Sequence, residues 1–419
     1  MLQRYLEPGI WEALAQFPVV LITGARQVGK STLAQAICGS AWKAPYLTLD
    51  DRTVLDAALT DPDGLIAAQP GRVAIDEVQR APDLLRTIKL QVDRHRHTGR
   101  FLLTGSANVI TLKRVSETLA GRIALLRLHP FSYGELLRRP SATTILDTCF
   151  RAASAEALVR ALTGSERPRG IPLATALLRG GYRDPALSAA TSKRTRWFEA
   201  YRKTYVERDV QELQAIERLP EFGRLMSGLV ARTGQVLNSA DLGRTVGLPY
   251  VTVRRYLHLL EQTYQIVLVP PYFTHLTKRL SKAPKVYWTD TGMACHLLGI
   301  HDQSTLERHP MVGALVETWV AQELQKCLSW ASDPMAVYGW RFHDGHEVDF
   351  LVERGDRLMA VEVKTGRRVD PSVSKNLRMV REALGNRLTM SLVLYGGDEA
   401  VALAPQLAAI PLTRFFSGP

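Results

Sequence analysis

Cysteine is scarce in this chain: four residues in 419, at Cys38, Cys149, Cys295 and Cys327, with no CxxC pair among them. That spacing excludes the dense disulfide framework of small secreted domains and points to a reducing compartment. Uninterrupted apolar runs of membrane-spanning length are also missing, and residues 1–8 carry no hydrophobic leader. The expectation is a cytoplasmic protein without integral membrane association. No tandem repeat or low-complexity tail offers a competing architecture. Acidic residues are in deficit, 41 against 53 Lys plus Arg, which leaves a formal net charge of +12. Such a field attracts phosphate polyanions or anionic lipid without choosing between them.

What is present begins with length. At 419 residues and 46% hydrophobic content, the chain has material for two or three cores. Near its start, the apolar run Val19-Val20-Leu21-Ile22-Thr23 reads as a buried strand and residues 31–37 as the helix after it. Between them, Gly24-Ala25-Arg26-Gln27-Val28-Gly29-Lys30-Ser31 completes a GxxxxGKS phosphate-binding pattern. Glycine freedom lets the backbone amides curl around phosphate, and the helix terminus adds a favourable dipole. Lys30 is expected on the outer phosphates of ATP and Ser31 on Mg2+. Thr32 supports the helix start or touches phosphate.

A second apolar strand ends in acids, Val73-Ala74-Ile75-Asp76-Glu77. Asp76 is suited to hold magnesium through water and Glu77 to polarise the attacking water. A third, Phe101-Leu102-Leu103, leads into a polar stretch in which Ser106 and Asn108 are candidate sensors of the terminal phosphate; a turn or helix cap is the alternative. With segments at 46–49 and 123–128, these runs alternate with helical stretches. The expected fold class is α/β, a P-loop core of residues 1–138 with a parallel sheet covered on both faces. Arg122, Arg183 and Arg208 are candidates to approach a phosphate, in the same chain or across a homo-oligomer interface, against ordinary ion pairing for each.

Residues 139–220 read as a helical lid or connector. The clusters Lys193-Arg194-Thr195-Arg196-Trp197 and Tyr201-Arg202-Lys203-Thr204-Tyr205 suit a nucleic-acid backbone and a stacked base, or else an exposed helix. In residues 221–300, two short amphipathic stretches flank Gly247-Leu248-Pro249, with strand-like runs at 265–269 and 285–289 behind them. This is the rhythm of a winged helix, a fold that contacts DNA or protein. Thr252, Arg254 and Arg255 are the DNA-facing candidates on the second helix, and Lys278, Arg279, Lys282 and Lys285 give the wing positive charge.

Residues 301–419 hold a second acidic pattern. Strand alternation puts Glu362 and Lys364 on one face, and a hairpin would bring Asp349 beside them, with Glu317 on a preceding helix. Two carboxylates and a lysine suit a second divalent-metal site acting on a phosphodiester, or a structural ion network.

Taken together, the pieces resemble bacterial and archaeal AAA-like ATPases with a DUF4143 carboxy-terminal region. Beyond the nucleotide motifs, residues 117–122, 130–136, 180–182, 313–317, 347–350 and 361–364 carry the likeness. The resemblance implies an AAA-like P-loop ATPase, a winged-helix middle and a restriction-endonuclease-like end, with Glu317, Asp349, Glu362 and Lys364 matching a PD-(D/E)XK-like pattern. Such an end can retain a binding role without cutting. The expected activity is ATP hydrolysis coupled to binding or remodelling of DNA, branched DNA included. A noncatalytic ATP-regulated DNA scaffold and a protein-interaction ATPase are the alternatives.

Overall fold

Alternation along the amino-terminal apolar runs decides the first layer structure. The computed structural model describes residues 2–105, 119–139, 143–163, 170–206, 219–273, 279, 282–341, 346–369 and 373–417. Within them, β1 (Val19–Thr23), β2 (Tyr46–Thr48), β3 (Val73–Asp76), β4 (Phe101–Thr104) and β5 (Ile123–Arg127) form an all-parallel sheet in the order β2-β3-β4-β1-β5. Val19, Leu21, Val73, Ile75, Phe101 and Leu103 turn to one face, against Leu84, Leu85, Ile88 and Val92 of the helix Leu84–Arg94. Val20, Ile22, Ala74 and Leu102 turn to the other, against Leu33, Ala34 and Ile37 of the helix Lys30–Cys38. Strand side chains alternate with period two, so a sheet buried on both faces needs apolar residues at every position. Each fully buried large side chain contributes about 1.5–3 kcal/mol.

Arg4 fastens this layer to the next. Its guanidinium donates to Glu135 Oε1 at 3.0 Å, to the Val28 carbonyl at 2.8 Å and to the His129 carbonyl at 2.6 Å, with the Phe131 ring beneath it. Both partners of the ion pair are buried. Arg4→Met is expected to cost about 3–5 kcal/mol, because it strands a buried carboxylate. Urea unfolding measures this, and a loss below about 1 kcal/mol would show that Glu135 finds water instead.

The middle of the chain is helical. Helix Ser239–Val246 starts where the Asn238 side chain accepts from the Asp241 amide at 3.0 Å, and it stops at Gly247, whose φ of +69° an L side chain rarely adopts. Helix Tyr250–Gln262 follows directly. Then β6 (Ile266–Val269) pairs antiparallel with β7 (Lys285–Trp288), and Val236 bridges to Lys285 as a third contact.

The carboxy-terminal part is a mixed sheet of β8 (Ala336–Arg341), β9 (Glu347–Arg354), β10 (Arg357–Lys364), β11 (Leu388–Tyr395), β12 (Val401–Ala404) and β13 (Leu407–Pro411), in the order β12-β13-β11-β10-β9-β8. Helix Val312–Leu328 precedes it, and helix Val373–Leu384 carries the chain from β10 to its parallel neighbour β11. Residues 143–163, read from sequence as part of a connector, lie against this sheet. The Ala155 amide donates to the Pro405 carbonyl at 2.8 Å, and Arg357 donates to the Phe150 carbonyl at 2.6 Å. Buried Glu323 accepts from the Tyr133 amide at 3.0 Å and Lys326 donates to the Phe131 carbonyl at 3.0 Å, joining helix Val312–Leu328 to the amino-terminal layer. Among the described residues, no helix is long and apolar enough to cross a membrane.

Candidate functional site

The phosphate-binding pattern forms a tight loop after β1 because its backbone takes turns that few residues accept. At Gly24, φ is +148° and a Cβ would lie 2.2 Å from the Leu128 carbonyl oxygen. Gln27 and Gly29 also have positive φ, +61° and +96°, which turns successive amides toward one concavity. Helix Lys30–Cys38 has no side-chain cap at its start, so its first amides are open to an anion. Lys30 is buried, its Nζ donating to the carbonyls of Gly24 at 3.1 Å and Ala25 at 2.9 Å. The ammonium is thus fixed at the mouth of the loop.

Strand order brings the acids to it. Because β4 lies between β1 and β3, the ends of all three strands converge, and Asp76 becomes the hub. Ser31 Oγ donates to Asp76 Oδ1 at 3.0 Å, the Thr104 hydroxyl donates to the same oxygen, and Thr48 Oγ1 lies 3.5 Å from Oδ2. The Tyr46 phenol is pushed well above its ordinary range by burial and then by Asp76. Thr104 also accepts from the Glu77 amide at 3.3 Å, and Gln79 Nε2 donates to the Glu77 carboxylate. Glu77 has φ +58°, an unusual conformation for a non-glycine residue, stored where the chain must turn an acid toward the cleft. Thr104 was missed from sequence. Ser106 and Asn108, the sensors expected there, lie outside the described residues.

A cleft of about 340 Å³ opens beside the loop, lined by Arg26 to Thr32 without Val28, and by Glu77, Arg183, Asp184 and Trp197. Arg183, one of the three candidate arginines, therefore reaches it within the same chain. Arg122 does not: it precedes β5, at the opposite end of the parallel strands, where it pairs with Asp93 at 2.5 Å and donates to the Ala120 carbonyl. Arg208 lies outside the described residues. Trp197 stacks on Tyr201 with ring centroids 5.0 Å apart, and the Tyr201 hydroxyl donates to the Arg26 carbonyl at 3.3 Å. Tyr201 and Arg194 are buried, Arg194 bound to the Ser188 and Ala189 carbonyls, while Trp197 is half-buried at the wall of the cleft. Lys193, Arg196 and Lys203 of the two clusters are exposed, and the Tyr205 side chain lies outside the described residues.

On helix Tyr250–Gln262, Val253, Tyr256, Leu257, Leu259 and Leu260 are buried, Thr252 is half-buried, and Arg254 and Arg255 are exposed. Tyr250 and Val251 are exposed beside them. Lys282 is exposed, and Lys278 lies outside the described residues. Arg279 is not a free wing cation. Its guanidinium pairs with Glu353 at 3.1 Å and lies over the Tyr272 and Tyr338 rings at 4.3 and 4.7 Å, because the carboxy-terminal sheet supplies an acid that sequence proximity does not reveal.

Glu317, Asp349, Glu362 and Lys364 do come together. Asp349 Oδ2 accepts from the Val363 amide at 2.8 Å across β9 and β10, and Lys364 donates to Glu362 Oε1 at 2.8 Å. Glu362 Oε2 is buried without a partner. Into the same cluster comes Lys285 from β7, 3.0 Å from Glu317 and 3.8 Å from both Glu347 and Asp349. The Tyr287 hydroxyl donates to Glu317 at 2.6 Å. Burial, then Glu317 and Glu362, push the Asp349 carboxyl well above the usual range; burial likewise raises Glu362 against its bond to Lys364. Lys285 is desolvated, yet Glu317, Asp349 and Glu347 hold its ammonium above the ordinary lysine value. Among the described residues, no group of three or more His, Cys, Asp or Glu is arranged to hold a metal ion.

Family models match three stretches: "AAA domain" over residues 16–137, "Domain of unknown function (DUF8612)" over 172–304 and "Domain of unknown function (DUF4143)" over 312–415. An AAA-type ATPase domain and a carboxy-terminal DUF4143 domain are therefore present, with nucleotide hydrolysis implied in general terms. The chain is 32% identical over 406 residues to "Uncharacterized protein Rv2008c" of Mycobacterium tuberculosis and to "Uncharacterized protein Mb2031c" of Mycobacterium bovis. Each alignment covers 97% of this chain and 82% of the relative. Two solved RuvB variants of Thermotoga maritima align over 63% of this chain and 89% of theirs, at 17% and 18% identity, with a TM-score of 0.27.

Proposed function

We propose that this chain, which belongs to the family of the two mycobacterial proteins, is an ATPase that couples its nucleotide state to DNA binding or remodelling. One observation carries the reading: the phosphate loop and Glu77 share a cleft with Arg183 and Trp197 of the DUF8612 region, and Asp76 meets the loop through the Ser31 hydroxyl. A nucleotide there would touch both parts.

In this reading the loop amides and Lys30 bind the phosphates of ATP. The Ser31 hydroxyl and Asp76 carboxylate, 3.0 Å apart, form a hard-oxygen pair suited to Mg2+, and these two residues would hold it. The ion supplies neutralisation of phosphate charge. Glu77 orients water and takes its proton as the water oxygen bonds to the terminal phosphorus and the bond to ADP breaks, giving ADP and phosphate. Thr104 positions both acids through its hydroxyl. Arg183 donates to phosphate in the same chain, while Arg122 and Arg208 are offered to a neighbour's site in a homo-oligomer.

The coupling path runs from the Arg26 carbonyl through Tyr201 to helix Thr191–Tyr201. The DNA surface of this reading is the exposed side of helix Tyr250–Gln262, with Thr252, Arg254 and Arg255, together with exposed Lys282 ahead of β7. Two consecutive helices joined by a short turn and followed by the β6–β7 hairpin support a winged-helix assignment. The Arg254→Ala, Arg255→Ala double variant should weaken DNA binding evenly across sequences and lower the slope of log affinity against log salt by about 2, one per phosphate contact. Fluorescence anisotropy on linear and branched duplexes between low and moderate salt reads this. An unchanged slope would move the DNA surface elsewhere.

The second reading is metal-dependent DNA cleavage by the DUF4143 domain. It is favoured by Asp349 and Glu362 on neighbouring strands with Lys364 beside them and Glu317 on the preceding helix, in a helix, three-strand, helix, strand order that suits a restriction-endonuclease-like fold. The donor set does not fit a divalent ion as it stands, since the Lys285 ammonium lies among the carboxylates. A binding role for this domain without cleavage is therefore the better account of this arrangement.

A further inference from the structure

Four carboxylates, of Glu317, Glu347, Asp349 and Glu362, gather where helix Val312–Leu328 meets β9 and β10, and two lysines face them. Lys364 serves Glu362 from the rim, its side chain 41% exposed. Lys285 is different: its side chain is 9% exposed and comes from another part of the fold, the β6–β7 hairpin. Burying an ammonium is expensive unless acids surround it, and here three do.

We propose that Lys285 is the resident cation of this cluster, occupying the place a divalent ion would need, and that the carboxylates accept such an ion only when Lys285 is withdrawn. The inference rests on the carboxylate cluster of the second reading but not on DNA cleavage. Three observations converge on it. The Lys285 Nζ donates to Glu317 Oε1 at 3.0 Å and stands 3.8 Å from both Glu347 and Asp349, so one ammonium faces three acids. Glu362 Oε2 remains buried and unpartnered in a residue only 4% exposed, an acceptor left for a cation with more coordination than an ammonium. A groove of about 560 Å³, lined by Lys285, Glu347, Lys282 and Trp340, runs to the cluster from outside and gives an ion a way in.

The arrangement also makes Lys285 a pin between two regions. The Gly234 amide donates to the Val286 carbonyl at 2.8 Å, and a Cβ at Gly234 would lie 3.4 Å from Glu317 Oε2. The loop before helix Ser239–Val246 thus passes directly over the acid that Lys285 holds. Any shift of the β6–β7 hairpin moves ammonium and cover together, leaving the acids for a divalent cation, which prefers several oxygen ligands.

The test uses the full chain without nucleotide and Mn2+ as the probe, followed by calorimetry and by the paramagnetic resonance of free Mn2+. Lys285→Met keeps the length of the side chain and removes its charge. It should bind Mn2+ roughly tenfold or more tighter than the wild type, and adding Glu362→Gln should abolish the gain. Its melting temperature should fall without metal and recover with Mn2+, whereas Lys285→Arg should refuse the ion as the wild type does. Equal Mn2+ affinity at this site in wild type and Lys285→Met overturns the proposal. If Lys285→Met does not fold, Lys285→Gln replaces it. Folding restored to either by Mn2+ supports the proposal, and failure of Mn2+ to restore both contradicts it. Because binding and melting are read, absence of DNA cleavage leaves the result unaffected.

Discussion

Glu77→Gln is expected to lower ATP turnover by about 10²–10⁴-fold, the usual contribution of a positioned general base, while ATP stays bound. The amide keeps the size of the carboxylate and its place beside Gln79 but cannot take a proton from water. The Thr104 hydroxyl accepts from the Glu77 backbone amide, which the substitution preserves, so the turn after β3 should survive. Phosphate release measures turnover, and a fluorescent ATP analogue measures binding. The signature is a fall in kcat with little change in affinity. Wild-type turnover in this variant, with contaminating ATPases removed, would assign the base elsewhere.

Lys30→Ala should affect both quantities. Removing one preorganised donor to transferring phosphate costs about 10²–10³-fold in turnover, and the same ammonium contributes to ground-state phosphate binding. The substitution also leaves the Gly24 and Ala25 carbonyls without the Lys30 donor that now reaches them at 3.1 and 2.9 Å, at a cost of about 1–3 kcal/mol for a stranded buried group. Affinity for ATP and for ADP should therefore both fall, in contrast to Glu77→Gln. An intact ADP affinity would show that the loop amides alone carry the ground-state phosphates. The two variants separate binding from chemistry at one site, and they must differ if Lys30 and Glu77 hold the roles proposed.

The legible parts of this site share one property, that spacing along the chain is enough to define them. The GxxxxGKS run and the apolar strand ending in Asp76-Glu77 carry their geometry locally, and alternation alone put Glu362 and Lys364 on one face of β10. Thr104 was illegible because its importance follows from β4 lying between β1 and β3, an order that pairing decides. Arg279 and Lys285 illustrate the opposite failure. Read locally they are wing cations, yet Glu353 and Glu317, which bind them, arrive from 74 and 32 residues away. Charge in a sequence has no address until tertiary structure supplies its counter-ion. Arg183 and Arg122 were equal candidates in the sequence; strand polarity separates them, since one lies at the carboxyl ends of the strands and the other at the amino ends.

The central claim is that nucleotide at the phosphate loop sets the affinity for DNA. Its most direct test is the anisotropy of a labelled duplex, linear or branched, titrated at fixed salt with Glu77→Gln in ATP, in ADP and without nucleotide. Coupling between two sites is typically worth 5–150-fold in affinity, and a difference of about fivefold or more between the ATP and ADP states is the predicted result. One and the same dissociation constant in all three states would contradict the account.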